Sequence, residues 1–139
     1  MRGKPAVVAV VVGAGLLVVG GFVLLRAPEA PTDTSAAPGG FTSIVPALCR
    51  ARDSARTDAG DSRRIFLDEG HAPLHVLADE VATTDRAAAA DLLEAKQAVE
   101  ADLEEEAIVT NDLERDLQAL IDATIAASTA LGEEAGTCG

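Results

Sequence analysis

Aromatic side chains are almost missing from this chain: its 139 residues include no tryptophan, no tyrosine and three phenylalanines. Stacking platforms for sugar rings or nucleobases are built from aromatic faces, so functions that need them are excluded. Positive charge is scarce as well, with 11 Lys and Arg against 23 Asp and Glu and a net charge of −12. From residue 41 onward the imbalance is 8 against 21, a net of −13. A surface of that sign repels phosphate backbones and anionic headgroups, which argues against nucleic-acid binding and against peripheral membrane docking. Its field favours a basic partner or a metal cation, although excess acidity often serves solubility alone.

Catalytic signatures are lacking too. There is no Gly-rich phosphate loop, no nucleophile elbow and no cysteine beside a histidine. The alternating Asp/Asn loop with a central glycine that binds calcium is also absent. Carboxylates are too numerous to single out an acid–base pair, and a domain this small has little room for a sizeable pocket. The chain reads as a protein that is not an enzyme.

What it does have is one long apolar run. Ala6 to Leu25 are twenty consecutive uncharged, mostly aliphatic residues, preceded by Arg2 and Lys4 and closed by Arg26. At about 1.5 Å per residue the run reaches roughly 30 Å, the thickness of a bilayer's hydrocarbon core. A cleaved secretory signal has a shorter apolar stretch, of about 7–15 residues, and small residues ahead of the cut. The expectation is therefore an uncleaved signal anchor over residues 1–26, with secretion after cleavage as the alternative. The basic N-terminal flank places that end in the cytoplasm and the remainder outside, a single-pass membrane protein. Residues 27–40 read APEAPTDTSAAPGG, a Pro/Gly/Ser-rich flexible linker that sets distance from the bilayer.

Residues 41–139 show helical periodicity and no sustained alternation of period two. Phe41, Ile44, Val45, Leu48 and Ala55 form a first stripe, with Ser43 as N-cap and Pro46 in the first turn. Gly60 should break this helix and Asp61 cap the next. Phe66, Leu74, Leu77 and Val81 mark a second segment, interrupted at Gly70 and Pro73, so one kinked helix or two short ones fit. Thr83 or Thr84 should start an Ala-rich helix with Leu92, Val99 and Leu103 as its stripe. Asn111 and Glu114 have the form of a capping box for a last helix, whose stripe is Leu113, Leu117, Leu120, Ile121, Thr124, Ser128 and Leu131. Gly132 ends it. The fold expected is all-α: a transmembrane helix followed by a small antiparallel up-down bundle of four helices, or five if the Gly70–Pro73 break is complete.

There are two cysteines, Cys49 on the first helix and Cys138 near the C-terminal end. A bridge between them would close a loop of about 90 residues and stabilise the fold by about 4.6 kcal/mol in the chain-entropy model. Disulfides persist outside the cytosol, so this pairing and the flanking charges point to the same compartment.

Both histidines belong to one constellation. Asp68, His71, His75 and Asp79 are spaced three, four and four apart, and on a continuous helix they line one edge. Histidines at i and i+4 can present two imidazoles to copper or zinc, with carboxylates a turn away to complete the shell. The wheel places this edge on the exposed side, where a solvated polar face is the plainer reading. Glu100, Asp102, Glu104, Glu105 and Glu106 form a dense acidic run, while Glu69 and Glu80 fall near the apolar side and should pair with Arg63 or Arg64. The function expected is an extracytoplasmic helical domain acting by protein–protein contact, with a protein partner that the acidic surface suggests is basic, as an accessory or structural component of a membrane complex. Its rival is copper or zinc binding or delivery at the cell envelope through the His71/His75 face; no other cofactor is expected.

Overall fold

The computed structural model describes residues 40–139, and every regular element in them is helical. The expected anchor, residues 1–26, and the linker up to residue 39 lie outside the described residues. Among the described residues no helix is long and apolar enough to cross a membrane.

Helix α1 spans Ile44–Ala55 and buries Ile44, Val45, Leu48, Cys49 and Ala51 on one face. Pro46 sits in its first turn, where a helix N–H has no intrahelical acceptor to lose. Ser43 precedes the helix as expected, but its side chain makes no cap hydrogen bond. The next boundary differs from the expectation. Asp58, not Asp61, caps α2 (Ala59–Ile65), accepting from the amides of Gly60 and Asp61 at 2.9 and 3.0 Å. A capping carboxylate must come from an extended residue just ahead of those donors, and Asp58 has φ −152° and ψ 100°. Asp61 is already helical, and accepts from Ser54 Oγ at 2.6 Å.

The Gly70–Pro73 interruption is resolved without a break. A π-helical turn, Phe66–Gly70, joins α2 directly to α3 (His71–Val81). The backbone N–H of His71 donates to the Phe66 carbonyl five residues back. Proline cannot donate, and its ring crowds the carbonyl four residues earlier, so a widened turn just upstream accommodates Pro73 and keeps the helix going. Gly70 lies in that turn against α1: a methyl group added to it would stand 3.3 Å from Leu48 Cδ2.

Thr83 and Thr84 do not start α4. Their hydroxyls turn back to the carbonyls of Glu80 and Val81, at 2.8 and 3.2 Å, and close the end of α3. Asp85 is the cap of α4 (Arg86–Glu104), accepting from Ala87 and Ala88 at 3.0 Å each. Helix α5 (Thr110–Ala130) begins one residue before Asn111, after Val109, and no side chain caps it, so the Asn111–Glu114 capping box does not form. Its far end follows the expectation. Gly132 takes φ +73°, and the N–H groups of Gly132 and Glu133 bond the carbonyls of Thr129 and Ser128, a glycine-dependent helix stop.

α5 packs against α1, α3 and α4, while α1 also packs against α2 and the π turn. Leu113, Leu117, Leu120 and Ile121 of α5 are buried with Phe66, Leu74, Leu77, Leu92 and Val99, forming one core. Counting α2, the π turn and α3 as one continuous segment, the domain is a helical bundle of four. Cys49 and Cys138 are joined by a disulfide, with Cα atoms 5.6 Å apart across a sequence separation of 89. The segment after α5 is thereby tied to α1. Both positions, found from composition alone, pair as expected.

Candidate functional site

Of the four residues expected to form one metal-binding edge, His71, His75 and Asp79 lie four residues apart along α3, and Asp68 lies outside it. Asp68 lies within the π turn and is exposed. The extra residue per turn there shifts it out of the register that a uniform helix would give it with His71. His71 faces α4: its Nε2 stands 2.9 Å from Glu100 Oε1. His75 is exposed one turn on, its ring meeting that of His71 edge to face with centroids 4.9 Å apart. Asp79, a further turn along, is at the other end of α3. Among the described residues no three His, Cys, Asp or Glu side chains are grouped so as to hold a metal ion.

The group that does converge on His71 is different. Lys96 donates from Nζ to the same Glu100 Oε1 at 2.6 Å, and its side chain is only 5% exposed. Lys96 occupies the apolar stripe of α4 beside Leu92, Val99 and Leu103, and its aliphatic stem fills core space while its ammonium reaches the carboxylate. Burial alone would raise the Glu100 carboxyl, but Lys96 and then His71 outweigh it and hold it below the usual range. The sequence carried a signal for this cluster. Lys96 is the one lysine of residues 40–139, set among core positions and four residues ahead of an acid. Its ammonium already neutralises the carboxylate that would otherwise be nearest to complete a shell with His71.

A second group joins α4 and α5. Asp102 Oδ2 is shielded from solvent and has no hydrogen-bond partner among the described residues. Burial, then Asp116, Asp112 and Glu105, push the Asp102 carboxyl above its ordinary range. Arg115 partly offsets the local charge by bonding Asp112 at 2.7 Å and Asp116 at 2.9 Å. Glu69 does find a cation, but it is Arg50 of α1, not Arg63 or Arg64. Glu80 is exposed and pairs with neither.

Two surface grooves complete the picture. One, of about 370 Å³, runs between α4 and α5 and is lined by Asp91, Glu94 and four alanines. The other, of about 440 Å³, lies where the ends of α3 and α5 meet. Val76 and Leu131 line it together with Asp79, Glu80 and Thr83. Asp79, the last residue of the expected metal-binding edge, also lines this open groove. No protein-family model, curated protein or solved structure matches this chain.

Proposed function

We propose that this protein is a membrane-tethered, extracytoplasmic docking domain whose acidic helical bundle, with its helices running up and down, binds a basic partner protein without catalysing a reaction. The observation that carries the reading is the charge of the folded domain: 21 acids against 8 bases in residues 41–139. Six of those bases, Arg50, Arg52, Arg56, Arg64, Lys96 and Arg115, are already engaged by the domain's own carboxylates. The surface that remains for a partner is therefore more one-sided than composition suggests, and such fields steer association with the opposite charge. The disulfide supports an oxidising location, and the apolar run Ala6–Leu25 supports a tether.

The test uses the full chain from native membranes, solubilised in mild detergent and sized by gel filtration. The chain should elute in a complex larger than itself, fall to its own size as salt is raised, and return on dialysis. Elution at its own size at every ionic strength contradicts the reading.

A second reading, binding of copper or zinc by His71 and His75, rests on the contact of their rings, 4.9 Å between centroids. Calorimetric titration of the full chain with Cu(II) and Zn(II) decides it. Heat abolished by His71→Ala with His75→Ala supports metal binding, and absence of heat removes it.

A further inference from the structure

The groove between the ends of α3 and α5 has a chemistry specific enough to name its occupant. Val76 and Leu131, both partly buried and packed onto the core, give it an apolar floor. Asp79 and Glu80 are exposed along its edge, and neither carboxylate has a hydrogen bond or ion pair among the described residues. The backbone adds to this. α3 ends at Val81 and α5 at Ala130, so two helix C-termini, each with the negative end of a helix dipole, come together here. A helix end commonly carries Lys, Arg or His in its last turn to answer that dipole, yet neither α3 nor α5 has one. Glu133 and Glu134 follow Leu131 in sequence and bring no cation either.

We infer that this groove is the docking point for an arginine or lysine side chain carried on an apolar segment of the basic partner. The methylene stem would lie on Val76 and Leu131 while the charged head meets the carboxylates of Asp79 and Glu80, a division that long cationic side chains make readily. Arginine suits it better than lysine, because a planar guanidinium can engage two carboxylates through paired donors. The volume, about 440 Å³, takes one such side chain with its flanking apolar neighbours. This inference rests on the docking function proposed above and narrows it to one place and one kind of anchor.

The probe is a terminally blocked, fluorescently labelled peptide with two adjacent arginines flanked by leucines. It is titrated onto the full chain in uncharged detergent micelles, alongside a control in which citrulline, the neutral isostere, replaces arginine. The arginine peptide should bind and the citrulline peptide should not. Asp79→Asn with Glu80→Gln should weaken binding by about tenfold or more, the loss of charge-assisted bonds at one site. Thr83→Arg, which supplies the cation from within, should do the same. Asp91→Asn with Glu94→Gln removes equal charge from the other groove and should leave affinity unchanged. Equal losses from both double variants would overturn the groove assignment while leaving acidic docking intact. Failure of the arginine peptide to bind at all would overturn the inference and count against the docking function as well.

Discussion

Gly136 runs so close to Thr42 that a methyl group on its Cα would stand 2.0 Å from the Thr42 carbonyl oxygen, and 2.7 Å from Pro46 Cδ. No side chain fits there, and a backbone carbonyl cannot swing aside as a flexible side chain can. The segment after α5 is therefore seated against the start of α1 by contact as well as by the disulfide two residues later. Gly136→Ala should displace this segment and lower thermal stability by about 1–3 kcal/mol, the usual cost of overpacking. Amide hydrogen exchange should show faster exchange in residues 132–139 and at the first turn of α1, with α4 unaffected.

The Cys49–Cys138 bridge constrains the unfolded chain more than any other feature of the domain. Cys138→Ser should cost about 2–5 kcal/mol of unfolding free energy, measured by denaturant titration. Adding reductant to the natural chain should reproduce that loss, and adding it to Cys138→Ser should change nothing further.

Asp102 is a stability liability at neutral pH. Its folded carboxyl holds its proton to higher pH than the ordinary aspartate value of 3.8. The folded state therefore binds more protons than the unfolded state between that value and the raised one, and stability falls as pH rises through this window. Asp102→Asn keeps the shape and offers Asp116 an N–H donor. It should gain about 1 kcal/mol at pH ~7, a gain that shrinks below the ordinary aspartate range. Melting temperatures of both forms across the acid range check it.

Glu100 behaves in the opposite sense. Its carboxyl is held below the ordinary glutamate value of 4.5. The stability it contributes is present above that value and is lost as pH falls through the depressed one. Glu100→Gln leaves the Lys96 ammonium buried without its carboxylate and should cost about 2–3 kcal/mol near neutrality. The difference from the natural chain should close in strong acid. Lys96→Met with Glu100→Gln should recover much of the loss, since a buried pair replaced by apolar volume is often neutral.

The stripes Phe41–Leu48, Leu92–Leu103 and Leu113–Ser128 were legible in the sequence because burial follows helical periodicity directly. Boundaries were less so. Asp58 and Asp85 took the capping roles expected of Asp61 and of Thr83 or Thr84. Several polar residues crowd each junction, and only the backbone angle decides which one is extended. The histidine constellation assumed a uniform helix through Gly70 and Pro73. The π turn changes that register, and spacing on paper cannot show a turn of a different pitch. Lys96 is hard to place from the sequence for another reason: lysine is ordinarily a surface residue, and its burial depends on Glu100 reaching it across one turn. The groove at the ends of α3 and α5 joins Val76 to Leu131, 55 positions apart in the sequence, and no local pattern links them.

The measurement that bears most directly on partner docking is photo-crosslinking from two positions of the full chain in its native membrane. One reactive residue replaces Thr83 at the groove's edge, and the other replaces Gln97 on the exposed side of α4. Docking at the acidic groove predicts a discrete adduct from position 83 that fades as ionic strength rises, and none from position 97. Equal yields from both, or no adduct from either, would contradict it.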